Sequence, residues 1–245
     1  IGASSAPIAY PGKIEIDPAA EELLIADSNH NRIIFSTPEG EVIRVVGSGT
    51  AGGQDGAAEH ASFWGPQGIA LDDNNVYVAD AENHLVRRIE RKSFSVETIA
   101  GTGEQALVRH ADGNAKSMPI NSPYDLVIQD DALYVAMAGF HQLWVIDVSG
   151  GTIRPFAGDG REDIVDGSLN ESRLAQPYGI TVNSGTLYFA DSETSSIRRA
   201  GTGPDGRVET LVGTGLFDFG DSDGVGDAVL LQHVQGLTSG GGSIY

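Results

Sequence analysis

The chain has 245 residues, with 34 acidic and 15 basic side chains, a formal net charge of -19 and no cysteine. That charge repels polyanions, so nucleic-acid binding is not expected, and no disulfide, thiolate metal site or cysteine nucleophile exists within it. No apolar run approaches the ~20 residues of a membrane helix, and the first residues, IGASSAPIAYPGK, lack the basic start and apolar centre of a signal peptide.

Taken in order, the chain repeats itself about 55 residues apart, a period that decides architecture before any single residue is interpreted. Repeat one opens at Pro11 and runs through LLIADSNHNRII (23–34), Gly47 and Gly49 to the pair Asp55-Gly56. Repeat two opens at Pro66 and runs through VYVADAENHLVR (76–87), Gly101 and Gly103 to Asp112-Gly113. Repeat three opens at Pro123, with LYVAMAGFHQLW (133–144), Gly158, Gly160 and Asp166-Gly167. Repeat four opens at Pro177, with LYFADSETSSIR (187–198), Gly213, Gly215 and Asp223-Gly224. A fifth begins at Val234 and reaches Tyr245, the position at which earlier repeats place Tyr77, Tyr134 and Tyr188 early in a second strand.

Inside a repeat the apolar runs are short and β-branched. In repeat two, Gly68–Leu71, Val76–Ala79, Leu85–Ile89 and Val96–Ala100 read as strands, and Asp72–Asn75 as a turn. A short turn around Gly56–Ala61 is the one helical pattern. Four short strands joined by reverse turns make an antiparallel meander, and a repeating four-stranded sheet is a propeller blade. The expected fold is therefore all-β, one β-propeller domain over residues 1–245. Its blades begin near residues 11, 66, 123, 177 and 234: four complete, and the start of a fifth.

The block Asp-x-x-x-His/Asn-x-Ile/Val/Leu, with Asn83, His84 and Leu85 literally present, resembles the NHL repeat over essentially the whole chain. AMAGFHQLW (136–144), ADSETSSIRR (190–199), FGDSDGVG (219–226) and LLQH (230–233) depart from the generic repeat. They look like the NHL portion of proteins that join a thioredoxin-like domain to an NHL propeller. The resemblance implies a parent ring of six blades and a thioredoxin-like part preceding this segment. Four repeats and a fragment leave three outcomes open: completion by another chain or copy, truncation of a longer product, or an arc stable as it stands.

Several positions invite chemistry. Asp27, Asp80 and Asp191 could ring a metal, but a repeated residue at a repeated turn reads first as an acceptor of backbone N–H bonds there. Asp80 and Asp191 each have an arginine seven residues on, Arg87 and Arg198, while repeat three has Met137 and Trp144. Joint loss of both suggests an internal ion pair replaceable by apolar packing. His84 and His141 read as turn-locking hydrogen-bond donors. His30, His60, His110 and His233 share no zinc-like spacing. Asp221 and Asp223 resemble half a calcium loop without its closing glutamate, so calcium is the one conceivable cofactor and none is expected. The paired glycines end strands without a following helix, which reads as turns rather than phosphate loops.

Repeat three is the odd one out. Tyr124, Asp125, Met137, Phe140, His141 and Trp144 are its candidate partner-binding face, since aromatics and methionine are enriched at interfaces. Asp125 also occupies a position that carries Gly68 and Gly179 elsewhere. The expected function is a non-enzymatic scaffold that presents loops to a protein partner or, by the resemblance, to an attached thioredoxin-like domain. The alternative is a divalent-metal-dependent hydrolase or lyase using the central channel.

Overall fold

Each proline that opens a repeat is the first residue of a strand, where its missing N–H costs no ladder bond. The computed structural model describes residues 7–109 and 111–245; His110 and the leader reading at residues 1–6 lie outside the described residues. β1 (Pro11–Asp17), β2 (Glu22–Asp27), β3 (Arg32–Ser36) and β4 (Val42–Val46) form an antiparallel sheet in chain order. β5 (Pro66–Leu71), β6 (Asn75–Asp80), β7 (Leu85–Glu90) and β8 (Val96–Ala100) form a second. After the two-residue β9 (Gly113–Asn114) comes β10 (Pro123–Gln129). Then β11 (Ala132–Met137), β12 (Gln142–Asp147) and β13 (Thr152–Ala157) pair antiparallel. β14 (Gly167–Ser168) lies along the outer edge of a sheet made by β15 (Pro177–Asn183), β16 (Thr186–Asp191), β17 (Ser196–Gly201) and β18 (Arg207–Val212). A hairpin of β19 (Ser239–Gly240) and β20 (Ser243–Ile244) follows.

The described residues up to Ala106, with Asn114–Ile128, make one compact unit, and Leu107–Gly113 with Gln129–Tyr245 make another. In the first, β1 and β2 pack against β5, enclosing Leu24, Ile33, Phe35, Val46, Phe63, Ile69, Val78 and Ile89. In the second, β11 packs against β15 around buried Leu133, Val135, Ile180, Leu187 and Phe189. In repeat one, β2 and β3 are buried on both faces, so their apolar runs are continuous, whereas β4 is exposed along most of its length.

Two first strands come too close to the following repeat for a side chain. A Cβ on Gly68 would lie 2.5 Å from Asp125 Cα, and one on Gly179 would lie 2.3 Å from the Gln235 carbonyl oxygen. Among the described residues, the helical segments are three-residue 3-10 turns, and no helix is long and apolar enough to cross a membrane.

Candidate functional site

The turn between the second and third strands carries most of the repeat's polar chemistry. In repeats one to three it is a 3-10 turn, Ser28–His30, Ala81–Asn83 and Ala138–Phe140. A left-handed residue ends each: Asn31 (φ 52), His84 (φ 53) and His141 (φ 53), with Ser195 (φ 48) holding the place in repeat four. All four side chains accept a backbone N–H at the start of the next repeat. Asn31 Oδ1 accepts from Gly65 at 3.0 Å, and His84 Nδ1 from Ser122 at 3.0 Å. His141 Nδ1 accepts from Gln176 at 3.2 Å, and Ser195 Oγ from His233 at 3.1 Å. Each donor immediately precedes an opener, Pro66, Pro123, Pro177 or Val234, and is itself left-handed.

His84 and His141 are thus acceptors, which corrects their expected role as donors. An Nδ1 receiving an N–H carries no proton, so the neutral ring keeps its proton on Nε2. Burial lowers both pKa values, which favours that neutral form. The first of each repeat's paired glycines packs beside the same residue. A Cβ on Gly101 would meet the His84 carbonyl oxygen at 2.3 Å, and one on Gly158 the His141 carbonyl oxygen at 2.8 Å.

The repeat aspartates serve a second tie. Asp80 Oδ1 accepts the Trp64 N–H at 2.7 Å, while Oδ2 receives Arg87 and Asn83, both at 2.8 Å. Arg87 also reaches Asp55 Oδ1 at 2.8 Å and the Ser62 carbonyl at 2.9 Å. Repeat four copies this arrangement. Asp191 accepts from Ala175 N–H at 2.7 Å and Arg198 at 2.8 Å, and Arg198 reaches Asp166 at 3.0 Å. In repeat one, Asp27 accepts from the Ala9 N–H at 2.8 Å, from Arg32 Nε at 2.7 Å and faces His30 at 3.0 Å. The ion pairs expected for Asp80–Arg87 and Asp191–Arg198 are present.

The expected turn acceptance is corrected. The 3-10 turn closes on its own carbonyl, as in His84 N–H to Ala81 oxygen at 3.1 Å. The carboxylate is left to fasten the incoming chain two residues before the opener. Burial outweighs the pairing and pushes the carboxyls of Asp80 and Asp191 up to about 6. The Asp-Gly pairs also gain a role, because Asp55 and Asp166 supply the arginines' second carboxylate. Asp221 and Asp223 are exposed, and among the described residues no three His, Asp or Glu side chains are grouped to hold a metal ion.

Repeat three replaces Asp80, Asn83 and Arg87 by Met137, Phe140 and Trp144. Phe140 stacks on Trp144 at 5.4 Å, and Trp144 Nε1 donates to Gln142 Oε1 at 3.1 Å. Gln142 Nε2 in turn donates to the Gly158 carbonyl at 2.7 Å. Met137, Phe140 and Trp144 are only 0%, 4% and 0% exposed. They are therefore core residues standing in for a polar trio, not a contact face, and the expectation for these three is corrected. Asp125 is buried too, 2.8 Å from Lys13 Nζ, while Tyr124 and His141 are half-buried.

The family model of the NHL repeat matches residues 63–89, the stretch holding Asp80, His84 and Arg87. The chain is built of NHL repeats. NHL repeat-containing protein 2 of Gallus gallus is 36% identical over 261 residues, covering 95% of this chain and 36% of that protein. Protein SUPPRESSOR OF QUENCHING 1, chloroplastic, of Arabidopsis thaliana is 41% identical over 257 residues, covering 99% of this chain and 24% of that protein. The chain thus spans well under half of either relative. A chain of the nidogen/laminin complex matches with a TM-score of 0.65 at 15% identity, over 98% of this chain and 72% of that one, a likeness of fold alone. The fold is all-β, of the NHL propeller type. Within these NHL repeats the histidine or asparagine position is the tie to the next repeat. A single copy gives no hint of this; the signal lies in aligning that position with the residue before each opener.

Proposed function

We propose that these NHL repeats form a non-enzymatic protein-interaction scaffold, whose loops between the paired glycines and the next opener meet a protein partner. The observation that carries this reading is where the exposed apolar residues fall. Leu107 and Val108 are 90% and 66% exposed in one such loop, and Phe217 and Val225 are 86% and 91% exposed in another. Apolar side chains held in water are a mark of contact surfaces. The buried polar groups of the repeat, by contrast, are engaged in fastening one repeat to the next.

The finer part of the proposal is that the partner is an attached thioredoxin-like domain, which would supply any redox chemistry. It is supported by the resemblance of residues 136–144, 190–199 and 219–226. The test begins with the reading frame on both sides of Ile1 and Tyr245. Any thioredoxin-like segment found there is then titrated against the chain by calorimetry. Saturable binding that Leu107→Ser with Phe217→Ser weakens, at unchanged melting temperature, is the expected result. A frame without such a segment removes the attached-domain reading, and binding indifferent to both variants removes the loops. Sedimentation of the chain alone reads out self-association, the other way a partner could be supplied.

A further inference from the structure

One cross-strand row has the same composition in repeats two and four. Tyr77 on β6 faces Arg88 on β7, which faces Glu97 on β8. Tyr188, Arg199 and Glu209 repeat it on β16, β17 and β18. The arginine pairs with the glutamate in both. In repeat two the Tyr77 hydroxyl also donates to Asp72 at 2.8 Å. Repeat three reads Tyr134, Val145 and Arg154 along that row. The arginine of the third strand is gone, and the position of its glutamate carries a cation.

A cavity of about 670 Å³ opens there, larger than the one of about 400 Å³ beside Arg88 and Glu97 in repeat two. Tyr134 and Val145, both 8% exposed, form its floor with Gln129 at the end of β10. Asp130, Asp131, Asp147 and Arg154 stand around it. Gln129 occupies the place of Asp72, yet its Oε1 is buried without a hydrogen bond. Tyr134 also lines the cavity, with its hydroxyl open to water. A buried acceptor without a donor is costly, so the floor is made for a group that donates.

We propose that this cavity receives the guanidinium of an arginine side chain from a partner protein, replacing from outside the arginine that repeats two and four provide from within. The proposal rests on the scaffold reading above and names the chemistry of the partner. A guanidinium carries several N–H donors in a plane, enough for the Tyr134 hydroxyl and, once the Gln129 side chain turns, for its Oε1, while its stem lies over Val145. Three carboxylates against one cation at the cavity favour a positive guest, and the chain's charge of -19 attracts basic partners from a distance. The volume lies within the range of roughly 300–1,000 Å³ typical of ligand pockets.

The probe is the tripeptide Gly-Arg-Gly, acetylated and amidated, compared with the same peptide carrying uncharged citrulline. Methyl NMR of Val145 is followed during titration. Saturable shifts at Val145 are expected, with citrulline weaker by about tenfold or more, as for hydrogen bonds that lose their charge. Arg154→Glu should tighten the complex. Gln129→Leu should weaken it, and Val145→Arg with Arg154→Glu should abolish it by rebuilding the row of repeat two. Equal affinity for arginine and citrulline, silence at Val145, or weakening by Arg154→Glu would each overturn the proposal; the last would point to a carboxylate guest. Should the double variant misfold, Gln129→Leu and Arg154→Glu still decide. Loop-dependent partner binding that persists while the peptide fails would sink this site and leave the scaffold standing.

Discussion

His84 Nδ1 accepts the backbone N–H of Ser122 at 3.0 Å, across 38 residues of sequence. Asparagine, histidine and serine make the same bond in the other repeats, so what the position requires is an acceptor on a left-handed residue. His84→Asn should preserve stability within a few tenths of a kcal/mol. His84→Leu leaves the Ser122 N–H without its partner and puts a residue ill suited to positive φ there. It should cost about 1–3 kcal/mol, measured by urea denaturation. Equal midpoints for the leucine variant and the wild type would remove the bond from the list of stabilising contacts.

The same bond makes stability depend on acid. Burial lowers the pKa of His84 and His141 below the ordinary 6.5. Between that value and the lowered one the unfolded chain binds more protons than the folded chain. Stability therefore falls as pH drops below 6.5 and is regained on returning above it. Asp80 and Asp191, with carboxyls raised to about 6, titrate in an overlapping range with the opposite sign. The comparison must therefore be between wild type and His84→Asn/His141→Asn, in which the aspartates are unchanged. The double variant should lose less stability on acidification, read as denaturation midpoints across pH 7 to 5. Parallel curves would show that the two rings do not titrate on unfolding.

Much of this architecture was legible because it is local and repeated. Proline starts, the strands at Val76–Ala79 and Leu85–Ile89 and the Asp–Arg spacing all follow from patterns of a few residues. The direction of the His84 bond was not legible, because its donor lies in the next repeat and backbone N–H groups have no signature in sequence. For the same reason the repeat pattern assigns Asp80 to its own turn, whereas it accepts from Trp64. Trp144 carries two readings in sequence, apolar packing in place of an ion pair and an interface aromatic, and its burial decides for the first. The cavity at Tyr134 is hidden because its lining comes from separate strands, and the change of Arg88 to Val145 in its row shows only once register aligns three of them.

Repeat three suggests how the polar trio of repeat two can be replaced. Asp80→Met alone leaves Arg87 buried with Asp55 as its one carboxylate, and Arg87→Trp alone leaves Asp80 buried without its cation. Each should cost about 3–5 kcal/mol, as when a buried pair loses one member. The triple variant Asp80→Met/Asn83→Phe/Arg87→Trp should cost far less than the sum of its parts, because neighbours sharing one network are not additive. Denaturant titration of the singles and the triple gives the coupling. Additive losses would mean that the Met137–Phe140–Trp144 packing depends on features peculiar to repeat three, such as Gln142.

Trp144→Ala bears on where repeat three does its work. Trp144 is fully buried, stacked on Phe140 and bonded to Gln142. Its truncation removes a large core side chain and leaves Gln142 Oε1 without its donor. The expected loss is about 3–5 kcal/mol, enough to shift the melting transition by many degrees. Trp144→Phe should recover most of the packing but not the hydrogen bond, and fall between the two. Thermal denaturation with circular dichroism orders the three proteins. An alanine variant that melts like the wild type but fails to bind a partner would return Trp144 to the surface. A buried, doubly engaged tryptophan predicts the opposite: any loss of binding should track the fraction unfolded and vanish at temperatures where the variant is fully folded.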